Sequence, residues 1–345
     1  MRTVHLLAAV AALALAAEAA SAADMTITSW GGAYQTSQRK AFFEPYAQKT
    51  GAKITEEEYN GEFAKLRAMV EANDVTWDVV DVDTQTAQQG CDEGILEVID
   101  YAKVGQSPDK FVEGAPMECA VGNMVYSTVF AYDADKLKDG PTKIADLFDT
   151  KKFPGKRALQ KDPFGNLEFA LMADGVPPNQ VYEVLSTPEG VDRAFKKLDE
   201  LKPSIQWWEA GAQPPQYLAS GDVVMSSAYN GRIAAVQKES NLKVVWNGGI
   251  YDFDAWAIPK GAKDIEEAKK FIAFSVQPEQ QKTYSENIAY GPANSKAVSL
   301  LSDAVKKDMP TTPENIANQV QIDVAFWADN SEQLEQRFNA WAAKK

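Results

Sequence analysis

The chain almost lacks histidine. Its only one, His5, sits in an apolar N-terminal segment, so the remaining sequence offers no imidazole for a Ser-His-Asp triad, a Cys-His pair or a histidine-ligated zinc. Cysteine is nearly as scarce. Cys91 and Cys119 are the only two, and neither sits in a CxxC pair. No GxGxxG segment follows the first strand-like run, which excludes the dinucleotide-binding fingerprint. Past the N-terminus no stretch is long and apolar enough to span a bilayer, so no membrane insertion is expected. Positive charge is also in deficit. Thirty-five Lys and Arg face 49 Asp and Glu, for a net charge of −14. That surface repels nucleic acid and anionic lipid and favours cationic ligands. Internal repeats and low-complexity linkers are absent as well.

What is present begins with an export signal. Arg2, an apolar run from Val4 to Ala17 and Ala20-Ser21-Ala22 form the charged, hydrophobic and small-x-small parts of a signal peptide. We therefore expect cleavage after residue 22 and a free periplasmic protein without a lipid anchor. In that oxidising compartment an even cysteine pair is expected to close into a Cys91–Cys119 disulfide. Such a loop is worth roughly 3 kcal/mol by chain-entropy reasoning.

The 345 residues exceed what one hydrophobic core usually supports, and a hydrophobic fraction of 45% with 8 Trp points to an ordered globule. Short β-rich runs at 25–30, 53–59, 77–82, 121–132, 157–160, 223–225 and 243–246 alternate with helical stretches. This alternation predicts α/β lobes on mostly parallel sheets. Thr187-Pro188-Glu189 reads as a helix start, with a capping hydroxyl, a first-turn proline and a carboxylate facing the dipole. With no floppy tether available, residues 254–259 read as an ordered return crossing between lobes.

Several side-chain groups carry recognition chemistry. Trp30-Gly31-Gly32-Ala33-Tyr34 lies where the first strand gives way to a helix, the edge at which parallel sheets bind ligands. Its rings are either cleft walls or core aromatics. Asp81 and Asp83 share a face; they can hold an ammonium or a metal, or cap the next helix. Glu168 either binds an amine or faces a helix dipole from the first turn. Of Trp207 and Trp208, at most one can line a cleft. Arg232, just past Tyr229-Asn230-Gly231, is either a carboxylate clamp or a surface arginine. Asp252 and Asp254 alternate onto one face beside an apolar strand, where a carboxylate is costly without a cation. That suits amine recognition, or else the acid and nucleophile of a glycosidase.

Together these segments resemble the periplasmic substrate-binding proteins of ABC transporters, in the spermidine/putrescine-binding group. The resemblance is carried over nearly the whole mature chain by Ser29-Trp30-Gly31-Gly32-Ala33-Tyr34, Trp77-Asp78-Val79-Val80, Lys152-Phe153-Pro154-Gly155-Lys156, Tyr229-Asn230-Gly231, Ala257-Ile258-Pro259 and Tyr290-Gly291-Pro292. It implies a type II binding-protein fold: two α/β lobes joined by crossing strands that close on a ligand. The expected lobes are 23–132 with 258–310 and 133–257 with 311–345, hinged near 131–134 and 254–259. It further implies Trp30, Tyr34, Tyr229 and Tyr290 as aromatic walls and Glu168 and Asp254 as amine-binding carboxylates. With Asp83, Trp208, Arg232 and Asp252 these complete the candidate ligand-binding set.

Two departures bear on the ligand. Where the polyamine binders carry a tryptophan two residues before the amine-binding aspartate, this chain has Asp252. Where they carry a small residue after Asn-Gly, it has Arg232. A guanidinium repels a polycation but suits a ligand with a carboxylate at one end and an ammonium at the other. The chain is therefore similar to the branch that looks like a receptor for γ-aminobutyrate. The resemblance implies no catalysis, no cofactor and no resident metal. The partners it implies are a small amine or amino acid and the membrane permease subunits of a transporter, met by a monomer. Two rivals from other classes are a periplasmic carbohydrate-active enzyme using Asp252 and Asp254, and a ferric-ion receptor using tyrosines.

Overall fold

The computed structural model describes residues 24–237 and 239–344; the expected signal peptide lies outside them. Ten strands follow in order: β1 (Asp24–Ser29), β2 (Lys53–Glu58), β3 (Val79–Asp83), β4 (Ala120–Asp133), β5 (Arg157–Gln160), β6 (Ile205–Trp208), β7 (Met225–Tyr229), β8 (Leu242–Ala257), β9 (Gly291–Pro292) and β10 (Val320–Gln321). Two parallel triplets, β2-β1-β3 and β7-β5-β6, flank a pair of long strands, β4 and β8. These two run antiparallel to each other, and β8 is antiparallel to β3 as β4 is to β7. Each parallel triplet is the expected α/β unit, and the antiparallel pair ties the units into one continuous sheet. The return crossing at 254–259 is thus the end of a single strand that begins at Leu242.

Apolar side chains separate along these two strands into distinct cores. Val125 of β4 and Phe253 and Trp256 of β8 pack with Met25, Phe42 and Phe271. Phe130 of β4 and Val245 and Ile250 of β8 pack with Leu167, Phe195 and Phe338. The changeover falls at 126–130 in β4 and 250–253 in β8. In β4 it coincides with a register shift between Thr128 and Phe130, and such irregularities bend and twist a strand locally. Phe253 and Trp256, expected with the second lobe, pack in the first core instead.

Local chemistry sets the helices beside the cleft. Asp83 ends β3 and accepts the Thr86 amide at 2.7 Å, capping the helix Thr84–Asp92. Cys91, near the far end of that helix, is bonded to Cys119, which immediately precedes β4, with 5.5 Å between Cα atoms. Thr187 caps the helix Pro188–Asp199 through the Gly190 amide, as its sequence predicts. No helix among the described residues is long and apolar enough to cross a membrane.

Candidate functional site

A cavity of about 590 Å³ opens between the two cores. Its first-lobe wall includes Trp30, Tyr34, Asp83, Tyr126, Asp254 and Tyr290, and its second-lobe wall includes Tyr229 and Arg232. Seven of the ten expected ligand-binding residues thus meet in one place: Trp30, Tyr34, Asp83, Tyr229, Arg232, Asp254 and Tyr290. They come from segments up to 260 residues apart: Trp30, Tyr34, Asp83, Tyr229 and Arg232 lie at strand ends or the helix starts just past them, Asp254 lies within β8, and Tyr290 immediately precedes β9.

Arg232 is on the first turn of the helix Asn230–Val236, at the carboxyl end of β7. It is only 5% exposed, and its guanidinium crosses the cleft. Nη1 donates to the carbonyl of Gly31 at 2.8 Å and Nη2 to the carbonyl of Trp30 at 2.9 Å. Its Nε, also buried, has no partner. The approach depends on the Gly-Gly step. Gly31 and Gly32 both adopt positive φ, 62° and 59°, and a Cβ on Gly32 would lie 2.7 Å from Nη1. Trp30 stacks on Tyr59 with ring centroids 4.8 Å apart, and its Nε1 is a second buried donor without a partner.

Asp254 faces the same cavity from β8. Its residue register places it opposite Asp83, with Asp81 on the diagonal of the same face. Burial pushes its carboxyl well up, and the neighbouring charge of Asp81 adds to the shift. Asp83 takes the capping role, Oδ1 accepting the Thr86 amide, and its side chain also lines the cavity. Burial raises its carboxyl too, against the lowering effect of the Thr86 amide.

Three expected residues lie elsewhere. Glu168 is fully buried behind Trp327, accepting its indole N–H at 2.9 Å and the Tyr182 hydroxyl at 3.0 Å. Burial raises this carboxyl to about 7. The first turn of its helix faces the second core rather than the cleft. Trp208 is also core: its Nε1 donates to Ser227 Oγ at 3.0 Å, and its ring meets Tyr229 edge-on. It supports a wall without forming one, while Trp207 turns the other way onto Phe338 and Trp341. Asp252 shares the face of Asp254 but lies outside the cavity lining, accepting from Thr84 Oγ1 at 2.7 Å and from the Tyr126 hydroxyl at 3.3 Å.

The cavity also holds residues that sequence reasoning passed over. Tyr126 packs edge-on to Tyr229 from the middle of β4. Asp162 and Phe164 follow β5, and Trp327 projects from the helix Val324–Ala343. A carboxylate and a ring just past a β5 strand end were a usable signal, since that edge is where such sheets bind ligands. Trp327, on the C-terminal helix, had no such marker. Among the described residues no group of three or more His, Cys, Asp or Glu side chains is placed to hold a metal ion. The arrangement offers buried donors on one side, buried carboxyls on the other, and rings between.

Residues 41–311 match the profile of the bacterial extracellular solute-binding proteins. The chain belongs to that family. One member, the gamma-aminobutyric acid-binding protein of Pseudomonas aeruginosa, is 51% identical over 96% of this chain and 94% of its own length. The spermidine/putrescine-binding periplasmic protein of Escherichia coli is 28% identical over 97% and 98%. Among solved structures, the periplasmic binding protein MotA from A. tumefaciens B6 in complex with glucopine matches with a TM-score of 0.87 and 35% identity, covering 92% of this chain and 99% of that one. A GABA receptor matches with a TM-score of 0.82 and 36% identity over 93% and 98%. The family is one of solute-binding proteins and not of enzymes, so the glycosidase reading of Asp252 and Asp254 falls. Geometry agrees, because only one of those two carboxyls reaches the cavity.

Proposed function

We propose that this protein is the periplasmic receptor of an ABC importer for γ-aminobutyrate or a similar short ω-amino acid. The observation that carries the reading is the meeting of Arg232 and Asp254 in one cavity, one from each lobe. The ammonium end pairs with Asp254, whose buried charge is otherwise costly. The carboxylate end takes the unpartnered Nε of Arg232 and Nε1 of Trp30, two buried donors that lack acceptors. Tyr34, Tyr229 and Tyr290 pack around the methylenes, and an ammonium gains from their faces. The name of the 51% identical relative supports the same ligand class.

Capture works by closing. The lobes bend at 126–130 and 250–253, where the long strands change cores, and Arg232 carries the second lobe onto the main chain of the first. The closed form, a monomer released from its signal peptide, then presents a surface of each lobe to the membrane subunits.

A polyamine reading draws on Asp83 and Asp162, two further carboxyls in the lining. Arg232 opposes it, because a guanidinium inside the cavity repels a polycation. Titration calorimetry of ligand-stripped protein with γ-aminobutyrate, putrescine and spermidine separates the two, repeated with Arg232→Ala. We expect γ-aminobutyrate to bind at micromolar Kd or tighter, near −8 kcal/mol or beyond, and to lose this in the variant. Polyamine binding that survives the substitution would sink the zwitterion reading.

A further inference from the structure

Asp81 does not line the cavity, yet it is fully buried directly behind it. It accepts hydrogen bonds from the Tyr34 hydroxyl at 2.8 Å, from Gln38 Nε2 at 2.5 Å and from Asn123 Nδ2 at 2.9 Å. Ser29 Oγ, which donates to Gln38 Oε1 at 2.6 Å, lies 3.2 Å from it as well. Three donors, two from the helix Gly32–Gln38 and one from β4, with a hydroxyl beside them, form a cradle for an anion: a carboxylate accepts only, whereas a carboxylic acid must place a proton. None of the ion pairs among the described residues neutralises Asp81 or Asp254. Two uncompensated anions on one buried sheet face are not tolerable together.

We propose that Asp81 is a positioning residue for the ammonium subsite: as an anion behind Tyr34 it keeps Asp254 protonated in the empty cleft, so that capture of an ammonium ion expels one proton. The inference rests on the reading that the ligand ammonium pairs with Asp254. Tyr34 is the link, since one hydroxyl can donate to Asp81 while accepting from a protonated Asp254. When the ligand arrives, the Asp254 O–H bond breaks, the proton leaves through the cavity to buffer, and the ammonium N–H replaces it on both oxygens. The cation then balances the site.

Other buried carboxyls lie around the cluster, and burial raises two of them, Asp252 and Asp162, to about 7 as well. Asp83 on β3 has its helix amide, and Asp252 on β8 has the hydroxyls of Thr84 and Tyr126. The nearby phenols of Tyr34, Tyr59, Tyr126, Tyr229, Tyr284 and Tyr290 are all pushed up by burial and stay neutral at physiological pH. Glu62 and Asp162 add negative charge from the cavity rim and the second lobe. Arg232 is the cation that faces the cluster, and it is tied to the carbonyls of Gly31 and Trp30. Burial pushes both Asp81 and Asp254 upward, in keeping with a proton held between them.

The test is calorimetry of γ-aminobutyrate and, in parallel, putrescine at pH 7 in buffers of different ionisation enthalpy, for the native protein and for Asp81→Asn. The native protein should release close to one proton per bound ligand, with affinity rising up to about tenfold for each unit by which the pH is raised through neutrality. In Asp81→Asn the ligand should still bind, with proton release cut by half or more and a flatter pH profile. Native binding without proton exchange, or equal release in the variant, overturns the proposal while leaving the zwitterion receptor standing. Putrescine binding with proton release and no γ-aminobutyrate binding has the opposite effect. Asp81→Ser, which removes the same charge with a smaller side chain, replaces Asp81→Asn if that variant does not fold, with the same expected loss. If neither ligand binds, carboxyl-carbon NMR of the ligand-free protein decides. A protonated aspartate at pH 7 that is lost when Asp81 is replaced by Asn or Ser supports the proposal, and its absence from the native protein overturns it.

Discussion

Arg232 of the second lobe donates a 2.8 Å hydrogen bond to the main-chain carbonyl of Gly31 in the first. With the companion bond to Trp30, this single side chain both closes the cleft and aims its remaining donors into it. Arg232→Lys should therefore behave almost as badly as Arg232→Ala in a γ-aminobutyrate titration. An ammonium cannot span two carbonyls while presenting a planar edge to a carboxylate. Lysine restoring more than about a third of the native affinity, a difference of about 0.6 kcal/mol, would show that charge alone is enough.

Gly32 makes room for that guanidinium. Gly32→Ala places a Cβ 2.7 Å from Nη1, at a φ of 59° that an L side chain resists. Backbone strain of about 1 kcal/mol is carried with and without ligand and lowers stability. Displacing Arg232 from its crossing bonds acts on binding, and a loss of about 1 kcal/mol there weakens Kd about fivefold. An unchanged Kd would mean that the crossing bonds are not formed in the bound state.

Asp254→Asn removes the ligand's counter-charge but keeps the shape of the site. Truncating one partner of a buried charge pair costs about 2–5 kcal/mol, so γ-aminobutyrate binding should weaken by at least about 30-fold. Asp252→Asn, outside the cavity, should change affinity far less. Equal effects from both would put the ammonium between them.

Glu168 gives a stability signature without a binding one. Its folded-state carboxyl titrates near 7, above the ordinary glutamate range, so the folded protein holds a proton there that the unfolded chain has already lost. The associated stability is complete at acid pH below the ordinary value and disappears as pH rises through about 7. Glu168→Gln imitates the protonated acid. Thermal melts should find it equal to the native protein at pH 4, more stable at pH 8, and unchanged in ligand affinity.

Cys91 and Cys119 tie the helix capped by Asp83 to the start of β4. Double replacement by serine should lower stability by about 3 kcal/mol in a denaturant titration. Binding should persist, since Asp83 and Asp254 are held by β3 and β8 rather than by the bridge.

Much of this was legible along the chain because it depends on local pattern. Strand and helix periodicity identified the two α/β units; the Gly-Gly step, Tyr229 and Arg232 announced themselves by lying where strands end, and Asp254 by its place beside an apolar strand. The scarcity of histidine and the excess of negative charge bounded the chemistry before any fold was known. Direction was not legible. Glu168, Trp208 and Asp252 satisfy the same local rules as their neighbours, yet the first two turn into the second core and the third is capped by Thr84 and Tyr126. Asp162 and Trp327 reach the cavity from segments that carry little periodic signal. Where β4 and β8 change cores was equally hidden, because β4 is buried along nearly its whole length and no change of pattern marks the crossing. Which face of an element meets the cleft is set by the packing of side chains distant in sequence, and only the folded chain brings those partners together.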